Sequence, residues 1–178
     1  PTLTHENSIP SLSFSPDDRF LVTASLDHTA RVWDTRTGEV ASCAMQHGFI
    51  LQNVEFLPDG KHIMTASADR TVRIWSLELV PDRDVIVKQN ASIRALDISN
   101  DGKTVLVGND EGIVKLVNAV TGEPTGVEVR HNDAINACIF SADDKIFATA
   151  GQDGRARVWR TADGTPVTRW LKHSEGDV

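Results

Sequence analysis

The stretch that decides the fold is LVTASLDHTARVWD, from Leu21 to Asp34, because the chain contains four similar copies of it. The other copies are IMTASADRTVRIWS at 63–76, VLVGNDEGIVKLVN at 105–118 and FATAGQDGRARVWR at 147–160. Each copy begins 42 residues after the previous one. A fixed period between about 20 and 50 residues is typical of proteins in which each repeat forms one supersecondary unit.

Each repeat has the pattern of an antiparallel sheet. The segment 11–15 reads SLSFS, and its alternation of apolar and polar residues predicts a strand. Tight turns are predicted at Pro16-Asp17-Asp18 and at Leu26-Asp27-His28. The predicted outer strands lie at 40–45, 127–129 and 167–171. The sequence therefore predicts an all-β protein with four antiparallel strands in every repeat.

The period also divides the chain of 178 residues. It predicts a single segment of four repeats, at 5–46, 47–88, 89–130 and 131–172, with residues 173–178 leading into a further repeat. The chain starts with Pro1 and has no signal-peptide pattern, so we expect it to begin inside a longer gene product.

Net charge restricts the expected partners, and cysteine content indicates the cellular compartment. The net charge of −7 opposes binding to phosphate backbones or to acidic membrane surfaces, so we expect neither nucleic acid nor membrane as a partner. No apolar run approaches the roughly 18 residues that a membrane helix needs. Cys43 and Cys138 occupy different positions in their repeats, which favours buried thiols in the reducing cytoplasm over a disulfide.

No pattern of residues predicts catalysis, a metal site or a cofactor. Ser, His and Asp recur together, but they recur in repeat after repeat, so a structural role explains them better than a catalytic triad. The repeated histidines are about 42 residues apart, whereas zinc ligands are closely spaced. No Gly-rich phosphate-binding motif is present. We therefore expect a protein that is not an enzyme.

A basic residue also returns with the same period in the third strand of each repeat. Two interpretations remain open: a ring that holds an acidic ligand, or structural residues within the strands, which their apolar neighbours favour. The four positions are Arg31, Arg73, Lys115 and Arg157.

The turns and third strands resemble those of the WD-repeat β-propeller family over essentially the whole chain. The motifs are FSPDD at 14–18, FLPDG at 56–60 and FSADD at 140–144, each followed by a strand of the D-x-T-x-R-V-W type. The resemblance implies that the four sheets are blades stacked around an axis. The short loops also look like bacterial WD-repeat regions that accompany signalling kinases, so we expect a bacterial protein and a larger signalling context.

The resemblance further implies a structural tetrad in which a His, a Ser or Thr, an Asp and a Trp are joined by hydrogen bonds. Carried onto this sequence, it comprises His5, Ser25, Asp27 and Trp33 in the first repeat, His47, Ser67, Asp69 and Trp75 in the second, and His131, Asp153 and Trp159 in the fourth. Gly151 stands where the fourth repeat would carry its hydroxyl.

The third repeat departs from this pattern. It carries Gln89, Asn109, Glu111 and Val117 at the tetrad positions. We therefore expect its hydrogen-bonded network to be absent or rebuilt, and its blade to be the least rigid.

In the family, the loops at one end of the ring commonly receive protein partners. Here those loops differ most between otherwise matching repeats, and Phe49 and Ile50 are the strongest anchor candidates, unless they only cover the blade below. The predicted partner-binding residues are Leu26, Phe49, Ile50, Ala68, Asp110, Asp133 and Gln152.

Four blades of this type are not expected to close on themselves. An open half-ring would leave two apolar faces uncovered, so we expect a second copy to join head to tail and complete an eight-bladed ring. The leading function is a non-catalytic scaffold that presents loops to a protein or peptide. The alternatives are a self-assembling ring module without a dedicated ligand, and a fragment of a longer WD-repeat protein.

Overall fold

Alternating apolar and polar residues form sixteen strands in the computed structural model, which describes residues 3–77 and 86–172. The first sheet contains β1 (Ser11–Phe14), β2 (Phe20–Ala24), β3 (Thr29–Asp34) and β4 (Met45–Gln46). The second contains β5 (Leu51–Phe56), β6 (His62–Ser67), β7 (Thr71–Ser76) and β8 (Ile86–Lys88). The third contains β9 (Ile93–Ile98), β10 (Thr104–Asn109), β11 (Ile113–Asn118) and β12 (Pro124–Arg130). The fourth contains β13 (Ile135–Phe140), β14 (Ile146–Gly151), β15 (Arg155–Arg160) and β16 (Leu171–Lys172).

Each sheet is one blade, and its four strands pair antiparallel in chain order. The register repeats with the sequence: Leu21 lies opposite Trp33, Ile63 opposite Trp75, and Phe147 opposite Trp159. The prediction of an all-β fold with four four-stranded antiparallel blades is confirmed.

The outermost strands depart from their predicted extents. Only residues 45–46 and 171–172 form strands where 40–45 and 167–171 were predicted, while β12 is longer than predicted. Val40 and Val167 are exposed, so their preference for β structure gains no burial at this free edge. The predicted turn at 80–82 and the segment 173–178 lie outside the described residues.

The apolar core lies between the blades rather than within them. The innermost strands β1, β5, β9 and β13 contact one another in succession, so each blade packs against the next. Val22 and Val54 join the first two blades, and Met64 and Leu96 join the second and third. Stacking thus buries the faces that two neighbouring blades turn towards each other.

The tight turns between the second and third strands share one backbone conformation. Their third residue is left-handed in every blade, with φ of 74° at His28, 71° at Arg70, 77° at Gly112 and 69° at Gly154. Gly112 is required for a second reason, since a Cβ there would lie 2.6 Å from the carbonyl oxygen of Asp133. His28 and Arg70 adopt a conformation that side chains normally avoid.

Carboxyl groups lie between the innermost strands of successive blades. The Phe140 N–H donates to Asp97 Oδ2 at 2.6 Å, across the third interface. Burial raises the pKa of Glu55 to about 7; a hydrogen bond with Ser13 opposes this rise, and the charge of Asp97 adds to it. Burial likewise raises the pKa of Asp97, against hydrogen bonds from the N–H groups of Phe140 and Ile98.

We expect Glu55→Gln to change how stability depends on pH. The folded protein keeps the Glu55 proton where the unfolded chain has lost it, so this group's contribution to stability falls as pH rises from about 4.5 to about 7 and is constant above. Denaturant titration of the variant and the parent at about pH 5 and about pH 8 measures the effect. The variant should gain about 1–2 kcal/mol relative to the parent at the higher pH, less than a fully buried carboxyl would give.

The control is Glu123→Gln, which removes an exposed carboxyl from the turn between β11 and β12. This control should show no such gain. An equal stability difference between Glu55→Gln and the parent at both pH values would contradict the assignment.

Candidate binding rim and the hydrogen-bonded chains beneath it

A buried chain of hydrogen bonds crosses the second blade. Trp75 Nε1 donates to Thr65 Oγ1 at 2.8 Å, Thr65 Oγ1 lies 2.7 Å from His47 Nε2, and His47 Nδ1 lies 3.0 Å from Asp69 Oδ2. An indole can only donate and a carboxylate can only accept. The hydroxyl proton of Thr65 therefore points to His47 Nε2, and the imidazole carries its own proton on Nδ1.

The same chain recurs in the first and fourth blades. Trp33 Nε1 to Thr23 Oγ1, Thr23 Oγ1 to His5 Nε2, and His5 Nδ1 to Asp27 Oδ2 all measure 2.8 Å. In the fourth blade the Trp159, Thr149, His131 and Asp153 links measure 2.8, 2.8 and 3.1 Å. The carboxylate-binding histidine thus ties the start of each of these three blades to its tight turn.

The hydroxyl in these chains is not the one assigned from the sequence. Thr23 and Thr65 form the hydrogen bonds that were predicted for Ser25 and Ser67. Each serine lies two residues after its threonine, on the same face of the strand. Ser67 caps the tight turn instead: its Oγ accepts from Asp69 N at 3.0 Å and donates to the Ile50 carbonyl. Because Thr149 supplies the hydroxyl of the fourth blade, Gly151 leaves no gap in that chain.

Steric crowding explains why residue 151 is a glycine. A Cβ at this position would lie 2.7 Å from His131 Nδ1 and 3.0 Å from Asp153 Oδ1. The histidine and the carboxylate therefore sit closer to the backbone here than a side chain would allow.

In the second blade, the charge of the hydrogen-bonded chain resides on the aspartate. Burial works against the ionised form of Asp69, but hydrogen bonds from Thr71, Gly48 N–H and His47 outweigh it and lower its pKa to about 2. Burial also lowers the pKa of His47, more than its bond with Asp69 raises it. The pair is therefore a neutral imidazole beside a carboxylate at neutral pH.

Hydroxyl, imidazole and carboxylate are connected here as in a hydrolase triad, but the environment differs. Thr23, Thr65 and Thr149 are buried, and each threonine oxygen already accepts an indole N–H. A nucleophile must reach a substrate carbonyl and have oxyanion donors beside it. These three hydroxyls are enclosed by their own blades and serve packing.

The third blade replaces the chain with a simpler arrangement. Val107 and Val117 occupy the threonine and tryptophan positions, so neither side chain can form a hydrogen bond. Buried Asn109 holds the tight turn alone, with Oδ1 accepting from Glu111 N at 3.1 Å and from Ile113 N at 2.9 Å. One amide oxygen thus accepts the two backbone hydrogen bonds that a serine and an aspartate accept in the second blade.

The tight turns and the segments that enter each blade lie at one end of the stack, here called the binding rim. In every blade the tight turn bonds to the entering segment. The four bonds run from Leu26 N to Ser8 O (2.9 Å), Ala68 N to Ile50 O (3.0 Å), Asp110 N to Ser92 O (3.0 Å) and Gln152 N to Ala134 O (2.8 Å). The residues predicted to contact a partner are thus brought to the same end.

The seven residues predicted to contact a partner differ in how exposed their side chains are. Phe49 is 52% exposed and its ring lies 5.6 Å from that of His28. Ile50 is partly buried, as are Leu26 and Ala68, whereas the polar candidates Asp110, Asp133 and Gln152 are exposed. Among the seven, Phe49 is the apolar residue with an exposed side chain, whereas Ile50 is partly buried.

Charged side chains are distributed unevenly over the rim. Exposed Glu6 lies on the first blade and exposed Arg70 on the second. Exposed Asp110, Glu111 and Asp133 lie on the third and fourth blades.

Comparison with known proteins shows the family. The family model described as WD domain, G-beta repeat matches residues 1–34, 39–76 and 122–160, which is more than half of the chain. The chain belongs to this family. The unmatched segment 77–121 includes the part of the third blade in which the threonine and tryptophan have become valine.

Two curated relatives share a short segment with the chain. Denticleless protein homolog of Gallus gallus is 40% identical over 50 residues, which is 28% of this chain and 7% of the relative. U3 small nucleolar RNA-associated protein 21 of Saccharomyces cerevisiae is 44% identical over 50 residues, 28% of this chain and 5% of the relative. Both are eukaryotic, so the resemblance to bacterial WD-repeat regions gains no support from them.

Two features are absent from the described residues. Within 3–77 and 86–172, no helix is long and apolar enough to span a membrane. The same part of the chain holds no group of three or more His, Cys, Asp or Glu side chains placed to bind a metal ion.

We expect Thr65→Val to destabilise the protein by about 1–3 kcal/mol, because it leaves the Trp75 N–H and His47 Nε2 buried without partners. Thr65→Ser keeps the hydroxyl and should lose less. Denaturant unfolding followed by tryptophan fluorescence compares both variants with the parent. A Thr65→Val protein as stable as Thr65→Ser would contradict the role given to the hydroxyl.

Proposed function

We propose that this chain is a non-catalytic scaffold whose binding rim holds a protein or peptide segment. WD-repeat domains typically serve as protein-interaction scaffolds. The observation that carries the proposal is the exposed Phe49 ring, placed among polar loops that vary from blade to blade. Exposed aromatic residues surrounded by polar neighbours carry a large share of the energy in protein interfaces.

We do not propose an enzymatic role for this chain. The three hydroxyl, imidazole and carboxylate sets are enclosed, and WD-repeat proteins are generally non-catalytic. We further propose a reducing, cytoplasmic location, since Cys43 and Cys138 are both unpaired.

Selection of peptides from a random display library on the immobilised chain tests the rim. We expect enriched peptides to bind at least about tenfold more weakly to Phe49→Ala, the loss that a moderate interface anchor gives. The control is Val120→Ala, because Val120 is also apolar and exposed but lies in the β11–β12 turn at the opposite end. Peptides whose affinity falls with Val120→Ala and not with Phe49→Ala would contradict the proposal, as would the absence of enrichment.

A second candidate function is self-assembly, favoured by the outer face of the first blade. Leu12 is 57% exposed while its equivalent Val54 is fully buried, and Phe14 is 55% exposed while Phe56 is 6% exposed. On the fourth blade, Ile139 is 61% exposed, where the preceding blades place Glu55 and Asp97 against a neighbour. We propose that these two apolar faces join between copies and complete an eight-bladed homodimeric ring.

The competing proposal is that further blades of one longer chain cover these faces. The matched segment makes up only 7% and 5% of the two curated relatives, so WD repeats of this type occur inside much longer proteins.

Light scattering behind size exclusion decides between these two proposals. Self-assembly predicts a mass near twice the 19.4 kDa of the chain, and a return to one chain mass in Phe14→Glu. Val120→Glu adds the same charge away from both faces and should leave the mass unchanged. A wild-type mass of one chain at all concentrations would exclude the homodimer.

A further inference from the structure

In each blade after the first, the residue that ends the turn between the first and second strands lies against the same turn of the preceding blade. This residue is left-handed in all four blades, with φ of 59° at Asp18, 65° at Gly60, 70° at Gly102 and 58° at Asp144. A Cβ at Gly60 would lie 3.6 Å from Pro16 Cδ, across the first interface. A Cβ at Gly102 would lie 3.9 Å from Pro58 Cδ, across the second.

At the third interface, Asp144 makes this contact with a carboxylate. Its Oδ1 accepts from Asn100 N at 2.9 Å, and its Oδ2 accepts from Asp101 N at 3.2 Å. The side-chain amide of Asn100 donates a further bond to Oδ1 at 3.1 Å. Asp144 thus clamps the first two residues of the preceding turn.

The two residues that meet at this contact change together along the chain. Proline has no N–H to donate. Where a turn begins with Pro16 or Pro58, the next blade carries glycine at the left-handed position. Where the turn begins with Asn100, which has an N–H, the next blade carries Asp144. A carboxylate therefore occurs where the preceding turn offers donors.

Asp18 has the residue type and backbone conformation of Asp144, but no described blade precedes it. Its side chain is exposed and forms no hydrogen bond or ion pair with the described residues, whereas residues 60, 102 and 144 are partly buried. At the other end of the chain, the turn of the fourth blade begins with Ala142 and Asp143, both exposed. Ala142 has an N–H where the first two blades have proline, so the chain carries both halves of a clamp.

The free face of the fourth blade resembles the face that the first blade turns towards the second. On the first blade that face is small and apolar, and it is fully buried; its residues are Val22, Ala24, Ala30 and Val32. The fourth blade carries matching residues at the same positions, all partly buried; they are Ala148, Ala150, Ala156 and Val158. The fourth blade can therefore receive a following blade as the first blade does.

The free face of the first blade likewise resembles the face that the second blade packs against the first. The second-blade residues are Val54, Phe56, Ile63 and Trp75. Their counterparts on the first blade are Leu12, Phe14, Leu21 and Trp33. Leu12 is larger than Val54, while Ala148 is smaller than Val22, so the two changes in volume partly offset each other. The two free faces together therefore match the first interface.

We propose that Asp18 accepts hydrogen bonds from the N–H groups of Ala142 and Asp143 of a second copy of this chain. This inference rests on the self-assembly proposed above and identifies a polar contact that selects the fourth blade as the one preceding the first. In a head-to-tail ring of two copies the contact occurs twice, and the ring closes with two-fold symmetry. A preceding turn that began with proline would leave Asp18 without its first donor.

Sedimentation equilibrium of the whole chain tests the clamp, because it measures the dissociation constant of the dimer. Asp18→Gly removes the carboxylate and keeps the left-handed turn, since glycine already occupies this position at Gly60 and Gly102. We expect the variant to dissociate at least about tenfold more readily, because charge-assisted hydrogen bonds are lost at both contacts.

The matched control is Asp144→Gly, which removes the same carboxylate from an interface within one chain. It should lower the free energy of unfolding and leave the dissociation constant of the dimer unchanged. Denaturant titration of both variants measures the first effect.

Ala142→Pro tests the donor side of the contact. Pro16 and Pro58 occupy the same turn position, so we expect proline to fit there without its N–H. The single variant should weaken the dimer. The double variant with Asp18→Gly recreates the proline and glycine pair of the first two interfaces. Ala142→Pro should therefore weaken the dimer much less in the Asp18→Gly background than alone.

Two results would overturn the clamp and leave self-assembly standing. One is an Asp18→Gly dimer as tight as the Asp144→Gly dimer. The other is a double variant weakened by the full product of the two single effects. A wild-type mass of one chain at all concentrations would overturn both the clamp and the homodimer, and would favour further blades of a longer chain as the cover of both faces.

Discussion

The structure depends on a one-way row of buried hydrogen bonds, from an indole through a threonine and a histidine to an aspartate. In the second blade this row joins Trp75 on the third strand, Thr65 on the second, His47 on the entering segment and Asp69 in the tight turn. Every donor in the row has an acceptor, so polar groups are buried without the cost of leaving them unpaired. The row thereby locks the loops of the rim to the sheet beneath them.

Because the polar groups are satisfied inside each blade, the blade faces are free to be apolar and to stack. This separation explains why the same positions can be core in one blade and surface in another. Val54 is buried by the preceding blade, while its equivalent Leu12 has no described blade before it. The stability of the fold is therefore shared between neighbours, as expected for a repeat protein in which no blade has a complete core.

The third blade keeps the fold although it lacks the row of hydrogen bonds found in the other blades. Asn109 alone keeps the tight turn in shape, so the backbone follows the other blades although the row of hydrogen bonds is gone. Val117 is 1% exposed, so the packing between the second and third blades closes around the smaller side chain.

The sequence by itself determined the number of blades, the four-stranded antiparallel sheets and the end of the stack at which the variable loops lie. These follow from the 42-residue period, from two-residue alternation and from turn chemistry, all of which are local. Only the tertiary structure decided that Thr65 rather than Ser67 joins the row. Both hydroxyls lie on one strand face, and only the distance to His47, a residue from a separate segment, distinguishes them.

The exposure of Phe49 and the partial burial of Ile50 were likewise decided by tertiary structure. Each depends on how two segments distant in the chain approach one another. A residue's type and its position in a repeat do not specify that separation, because the packing of neighbouring blades sets it.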